Sequence, residues 1–457
     1  MPYVDLYSRD DYASIYYTTS SIYDNVGGFD PEKPTLMILH PVLLDTTWLE
    51  NQLGDPRLYQ HYNIIAFDMR SMGQSNCKPS EKHDAWVDAA DLGLCCQMLH
   101  LPPCHVFALE AISVNAALRF ALLFPEMCLS LALCNIPSPV EPRWTYSALE
   151  GFMNSWAFAE DLDGLEHAMS EAMTLLLGQN CDSDLKDLVV AHWEKTLPPT
   201  RRQCFVETLG VILNRSPLEP EAYEEITQPV LIIHGERNEL SPQKYAETLS
   251  KHLKNAGNEP ILYPVKGAGS FLSIIPGSAS IANQVLVKFL SRLPLSRSDI
   301  VPPKRSIYER MKIALDRLAY LVPGKDVNRD LDPTSPLSYS CLSDEVVKLQ
   351  MDILDRANRG RLSAFNPLGP DGRPLRKLSD SRVDHWFQSG KDGLSVSEGV
   401  FVSPERGKSE TLKSSRSERE DKTSIKTPIA AKSDKYYVKP SAIREPQPHL
   451  NGRALIH

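Results

Sequence analysis

No stretch of the 457 residues approaches the roughly 20 consecutive apolar residues needed to cross a bilayer. The start, Met1-Pro-Tyr-Val-Asp-Leu-Tyr7, also lacks the charged-then-apolar layout of a secretory signal. Both absences predict an intracellular, cytoplasmic protein. No C-x-x-C pair occurs among the nine cysteines, which are odd in number and scattered from Cys77 to Cys341. This pattern predicts reduced, mostly buried thiols rather than a disulfide framework. The adjacent Cys95 and Cys96 read as helix packing. Histidines and cysteines nowhere cluster at metal-ligand spacings, so neither a metal nor another cofactor is expected. No internal repeat recurs at a fixed period.

What is present is enough for a large core: 42% of residues are hydrophobic. Charge is divided unevenly. Residues 301–457 carry 28 Lys+Arg against 21 Asp+Glu, a balance of +7, whereas the preceding part carries 21 against 37, or −16. The basic segment interleaves its signs (Arg416, Glu418, Arg419, Glu420, Asp421, Lys422), which predicts a solvated, disordered chain and disfavours a nucleic-acid partner.

Continuous apolar runs of strand length occur at 35–40, 63–67, 105–109, 129–133, 229–234 and 261–265, alternating with helical patterns at 46–53, 83–99, 114–123, 242–253 and 278–293. That order predicts an α/β protein with a mainly parallel sheet flanked by helices. A helical insert at 137–228, with Trp144, Trp156 and Trp193, is long enough to cover the sheet's carboxyl edge as a lid, the edge where open α/β sheets bind ligands. The predicted divisions are a core at 1–136 and 229–297, a lid at 137–228, and an extension at 298–457. In that extension the spacing predicts amphipathic helices over 307–321, with Met311, Leu315 and Leu318 on one stripe, and over 344–357, with disorder from about Glu405.

Four ordered motifs over residues 35–293 resemble those of the α/β-hydrolase superfamily. His40-Pro41 follows the first strong strand, where that family has its oxyanion loop. Asp68-Met-Arg-Ser-Met-Gly-Gln-Ser75 is similar to its D-x-R-G-x-G-x-S turn, with Ser71 in place of the first glycine. His234-Gly-Glu-Arg-Asn238 resembles the turn holding the catalytic acid, and Gly267-Ala-Gly-Ser-Phe271 the turn holding the catalytic histidine. Ser363–Arg373, with Trp386, resembles tails of fungal members.

The resemblance implies a nucleophile elbow, a strained strand-to-helix turn flanked by small residues. Here the stretch reads Ala108-Leu-Glu-Ala-Ile-Ser-Val-Asn115, and two registers are open. The usual helix length down to Pro125-Glu126 puts Ala111 at the nucleophile position. The other register puts Ser113 there, but it shortens the helix by two residues, rotating its apolar face by roughly 200°, and draws Glu110 into the strand. The first is favoured.

In the other two turns Asn238 stands where the family has Asp, and Ser270 where it has His. A neutral amide cannot stabilise an imidazolium. No histidine occurs between His252 and His385, so a small register error supplies no base. An acid could instead come from the end of the preceding strand, near Asn135 and Glu141. Glu110 reads as a lone acid, a ligand anchor or a hydrogen-bonded structural group, and His40 as an oxyanion-loop remnant or a core histidine.

Together these observations predict a hydrolase scaffold with a substituted triad, which binds a small hydrophobic ligand or engages a protein partner through residues 298–457. Pocket candidates are His40, Pro41, Glu110, Ala111, Ile112, Ser113, Asn238 and Ser270. The alternative is an ester or amide hydrolase using Ser113 with an unconventional base such as Glu110.

Overall fold

The computed structural model describes residues 2–178, 181–322 and 331–380. His385, Trp386 and the segment expected to be disordered from about Glu405 lie outside the described residues.

Nine strands form one sheet: β1 Tyr3–Tyr7, β2 Tyr12–Thr19, β3 Thr35–Leu39, β4 Asn63–Phe67, β5 Asn76–Cys77, β6 Cys104–Leu109, β7 Cys128–Cys134, β8 Val230–Gly235 and β9 Ile261–Val265. Their order is β1-β2-β4-β3-β6-β7-β8-β9, with β5 paired to β2. From β4 to β9 every neighbouring pair is parallel, and β1, β2 and β5 add antiparallel partners at one end. Every residue of β3, β4, β6 and β8 is buried, which is why these runs are apolar throughout rather than alternating.

The thirteen α-helices among the described residues are α1 Glu50–Leu53, α2 Pro56–Tyr59, α3 Ala85–Met98, α4 Ile112–Leu123, α5 Arg143–Ala157, α6 Leu162–Leu177, α7 Ser183–Thr196, α8 Arg202–Leu213, α9 Pro220–Glu224, α10 Lys244–His252, α11 Pro276–Leu290, α12 Ile307–Leu321 and α13 Asp344–Asn358. The period of two along β3 sorts its side chains between two layers. Met37 and Leu39 join the core built with α3, α4 and α12, whereas Leu36 and Ile38 join the one closed by Leu286 and Phe289 of α11.

The run at 261–265, apolar like a central strand, needs correction, and one hairpin went unseen. β9 is an edge strand rather than a central one, with Ile261 36% and Tyr263 40% exposed; Pro264, which cannot donate to a ladder, is tolerated there. The hairpin β1–β2 was hidden because its tyrosines do not form an apolar run; Tyr3–Tyr16 and Tyr7–Tyr12 ring pairs cross it instead.

Helices α5–α9 lie between β7 and β8, and α5–α8 gather their own core. Trp156 packs against Trp193 and stacks on Phe205, with ring centroids 4.9 and 4.5 Å apart. Trp193 Nε1 donates to the Leu43 carbonyl at 2.8 Å, tying the insert to the loop after β3. Trp144, by contrast, is 54% exposed.

The described residues after 298 pack into the same unit. Met311, Leu315 and Leu318 of α12 and Tyr339 join the core of α3 and α4. Leu354 and Ala357 of α13 join the core of the insert. The apolar stripes of both helices are therefore spent within the chain.

Candidate functional site

A cavity of about 90 Å³ lies where the carboxyl ends of the parallel strands meet the insert. Its floor comes from the loops after four strands: Val42 and Leu43 after β3, Glu110 and Ala111 after β6, Asn135 and Pro137 after β7, and Asn238, Leu240 and Ser241 after β8. Ser270 and Phe271, after β9, close one side. Thr145 and Leu149 of α5, Leu175 and Leu176 of α6, and Leu209 and Ile212 of α8 form the roof.

The turn after β6 is the most distorted part of the floor. Glu110 and Ala111 both have positive φ, 63° and 48°, and Ala111 has ψ −107° before α4 begins at Ile112. Such conformations cost of order 1–3 kcal/mol each for a residue with a Cβ, and the methyl of Ala111 keeps the steric part small. Leu109, bulky for such a turn, escapes by ending β6 fully buried.

Glu110 is held inward. Its carboxylate accepts from Leu272 N at 2.8 Å, Ser273 N at 3.2 Å and Ser273 Oγ at 3.0 Å, so it anchors the loop that carries Ser270. Burial pushes its pKa up to about 7 despite those three donors.

Asn238 and Ser270 are brought together: Ser270 Oγ donates to Asn238 Oδ1 at 3.0 Å. Asn238 Oδ1 also accepts from Ser241 N at 2.9 Å. Asn135 is a brace, accepting from Gly235 N at 2.9 Å and donating to the Ser270 carbonyl at 2.6 Å. Glu141 is paired with Arg215 at 2.5 Å and accepts from Thr145 Oγ1 at 2.6 Å.

Of the eight pocket candidates, Glu110, Ala111, Asn238 and Ser270 line the cavity. His40, Pro41, Ile112 and Ser113 do not. His40 is fully buried, its Nε2 accepting from Met69 N at 2.9 Å and its Nδ1 donating to the Pro41 carbonyl at 2.8 Å. Both ring nitrogens are thus spent on the fold. Pro41 accepts that bond, and Ile112 packs among the apolar residues of the insert. Ser113 sits in the first turn of α4 with no exposed surface, its Oγ donating to the His40 carbonyl.

Sequence reasoning expected a helical cover but missed which of its residues line the cavity and that Arg215 pairs with Glu141 there. The available signal was the stripe Phe205, Leu209, Ile212 on α8, at helical spacing. The D-x-R-S-x-G-x-S turn proves to be scaffolding. Asp68 accepts from Thr46 N and Gln74 N, both at 2.8 Å, and Arg70 bridges Asp11 and Asp91 at 2.8 Å each. Ser71, at φ 65°, donates to Glu207 of α8 at 2.5 Å. His83 lies between Glu207 and Asp88, and although burial opposes its charge, the two carboxylates push its pKa up to about 10.

Among the described residues, no group of three or more His, Cys, Asp or Glu is placed to hold a metal ion, and no helix is long and apolar enough to cross a membrane.

Solved structures with the same arrangement of strands and helices include MGS-M2, an α/β hydrolase from a Medee basin deep-sea metagenome library, with TM-score 0.51 and 16% identity over 64% of this chain and 99% of that one. The enol-lactonase of Burkholderia xenovorans LB400 gives TM-score 0.50 and 15% identity over 64% of this chain and all of that one. This chain has the α/β-hydrolase fold. At these identities the likeness is one of fold. No protein-family model and no curated protein matches the chain. The likeness spans somewhat under two thirds of this chain, so these two hydrolases offer no counterpart to more than a third of it.

Proposed function

We propose that this α/β-hydrolase-fold protein binds a small hydrophobic molecule in the cavity above Ala111 and does not hydrolyse it. One observation carries the reading: Ala111, the residue of the strained turn after β6 at φ 48° and ψ −107°, brings a methyl group rather than a hydroxyl or thiol to the cavity. In our reading Ala111 occupies the nucleophile position, Asn238 that of the acid and Ser270 that of the base. A methyl group cannot attack a carbonyl, and neither an amide nor an unactivated hydroxyl can take up the proton such an attack would release. Helices α5–α8, within residues 137–228, act as the lid over the sheet's carboxyl edge, and the apolar lining is what a ligand pocket requires even without chemistry.

The alternative nucleophile, Ser113, is poorly placed for that role. Its hydroxyl proton is committed to the His40 carbonyl, it has no exposed surface, and it does not line the cavity.

The test is to incubate the purified protein with a panel of short apolar esters, following both its unfolding temperature and recovery of each ester by gas chromatography. Some esters are expected to raise the unfolding temperature and to be recovered intact. Saturable hydrolysis that disappears in Ser113→Ala would overturn the reading in favour of a Ser113 hydrolase, and hydrolysis that survives Ser113→Ala would overturn the non-catalytic claim altogether.

A further inference from the structure

We propose that the cavity selects a compact, uncharged molecule carrying a hydrogen-bond acceptor, and that the side-chain amide of Asn238 reads that acceptor. The inference rests on the ligand-binding reading above and names the ligand's chemistry.

The orientation of the Asn238 amide follows from chemistry. Ser241 N can only donate, and it lies 2.9 Å from one end of the amide, so that end must be the oxygen. Ser270 Oγ donates to the same oxygen at 3.0 Å. The Nδ2 group, with two protons, is left with no acceptor among the described residues, on a side chain whose residue is only 6% exposed and which lines the cavity. The group itself is not sealed in, so its free protons are open to a partner from outside the chain. A ligand oxygen or a water is what remains to satisfy them.

The polar atoms of the wall's charged groups already have partners. Arg215 is paired with Glu141 at 2.5 Å, and it donates further to the carbonyls of Ser138 at 2.7 Å and Ile212 at 3.0 Å. The second oxygen of Glu141 accepts from Thr145 Oγ1, and Glu110 accepts three bonds from the Leu272–Ser273 loop. An anionic ligand would therefore find no free cation and two carboxyl groups; a cationic ligand would find no free carboxylate. Desolvating either charge without a partner is costly. The volume of about 90 Å³ is below the roughly 150 Å³ of a cavity that takes up benzene, which keeps the ligand to about the size of one six-membered ring.

Three probes built on one six-membered ring separate these features: cyclohexanone, methylcyclohexane and cyclohexanecarboxylate, titrated into the full-length protein by ligand-observed NMR, with the neutral cyclohexanecarboxamide as the size control for the carboxylate. Cyclohexanone is expected to bind about threefold to tenfold more tightly than methylcyclohexane, the range for one hydrogen bond, and the carboxylate not to bind. Asn238→Asp keeps an oxygen for Ser241 N and Ser270 Oγ but loses the donor, and it should erase the ketone's advantage. Leu209→Trp, which fills the roof, should abolish binding of both neutral probes. Equal binding of ketone and hydrocarbon, with loss of both in Leu209→Trp, would overturn the role of Asn238 and leave the ligand-binding reading standing. Preference for the carboxylate would overturn the requirement for an uncharged ligand. Binding of none of the three, or binding indifferent to Leu209→Trp, would overturn the ligand-binding reading itself.

Discussion

Glu110 is the residue whose burial has the clearest thermodynamic consequence. Its carboxyl has the higher pKa in the folded chain, about 7 against an ordinary 4.5, so the folded state binds the proton more tightly than the unfolded state. The associated stability is complete below pH 4.5 and is lost as the pH rises through about 7, a change of up to about 3 kcal/mol. Glu110→Gln is expected to flatten this component: the difference in unfolding free energy between pH 4.5 and pH 8 should shrink relative to wild type in chemical denaturation. An unchanged pH profile would mean that Glu110 is not desolvated as described. Gly73 makes a second residue-scale prediction. It sits at φ 52°, and a Cβ there would lie 2.2 Å from Asp68 Oδ2, the atom that accepts from Gln74 N. Gly73→Ala should cost about 2 kcal/mol or more, since it combines a strained backbone with a displaced turn anchor; a midpoint shift within error would contradict this. The sequence displayed that turn clearly, because Asp68, Gly73 and Ser75 are each dictated by local geometry. It did not display the partner of Ser71, because Glu207 lies 136 positions away, and such a pairing leaves no local pattern.

Among elements, the contact between α8 and α13 decides how firmly the roof of the cavity is held. Gly210 lets the two helices approach closely: a Cβ there would come within 2.9 Å of Gln350 Oε1. Arg202 donates through Nε to the Ala357 carbonyl at 2.7 Å and also bonds the Arg359 carbonyl, covering the carboxyl end of α13. Leu354, 8% exposed, packs in the core of the insert. Leu354→Ala should therefore destabilise the protein by about 2–3 kcal/mol. Hydrogen exchange should become faster in α8 as well as in α13, whereas acceleration confined to α13 would show that the two helices do not open together. Periodicity made α12 and α13 visible in the sequence, with bounds close to those observed, but it could not say what their apolar stripes face. The same limit applied to β9, whose composition resembles that of a central strand although it closes the sheet.

At the scale of the whole molecule, the parallel sheet, the insert after β7 and the return to β8 were legible because buried strands need continuous apolar runs and long connections stand out between them. The cavity was only half legible. Its floor comes from loops that directly follow recognisable strands, so Glu110, Ala111, Asn238 and Ser270 could be named, while its roof depends on how helices distant in sequence pack. The arrangement also predicts that chemistry can be restored. Ala111→Ser combined with Asn238→Asp and Ser270→His should introduce covalent labelling at position 111, read by mass spectrometry, while none of the three single substitutions should do so.

The most direct test of the central claim is to treat the purified wild-type protein with a fluorophosphonate, alongside an active serine hydrolase, and to map any adduct by mass spectrometry. A methyl group at Ala111, and a Ser113 bonded to the His40 carbonyl, predict no adduct while the control labels fully. An adduct on Ser113 would contradict the account, because it would require an activated hydroxyl that can reach solvent at the position described here as closed.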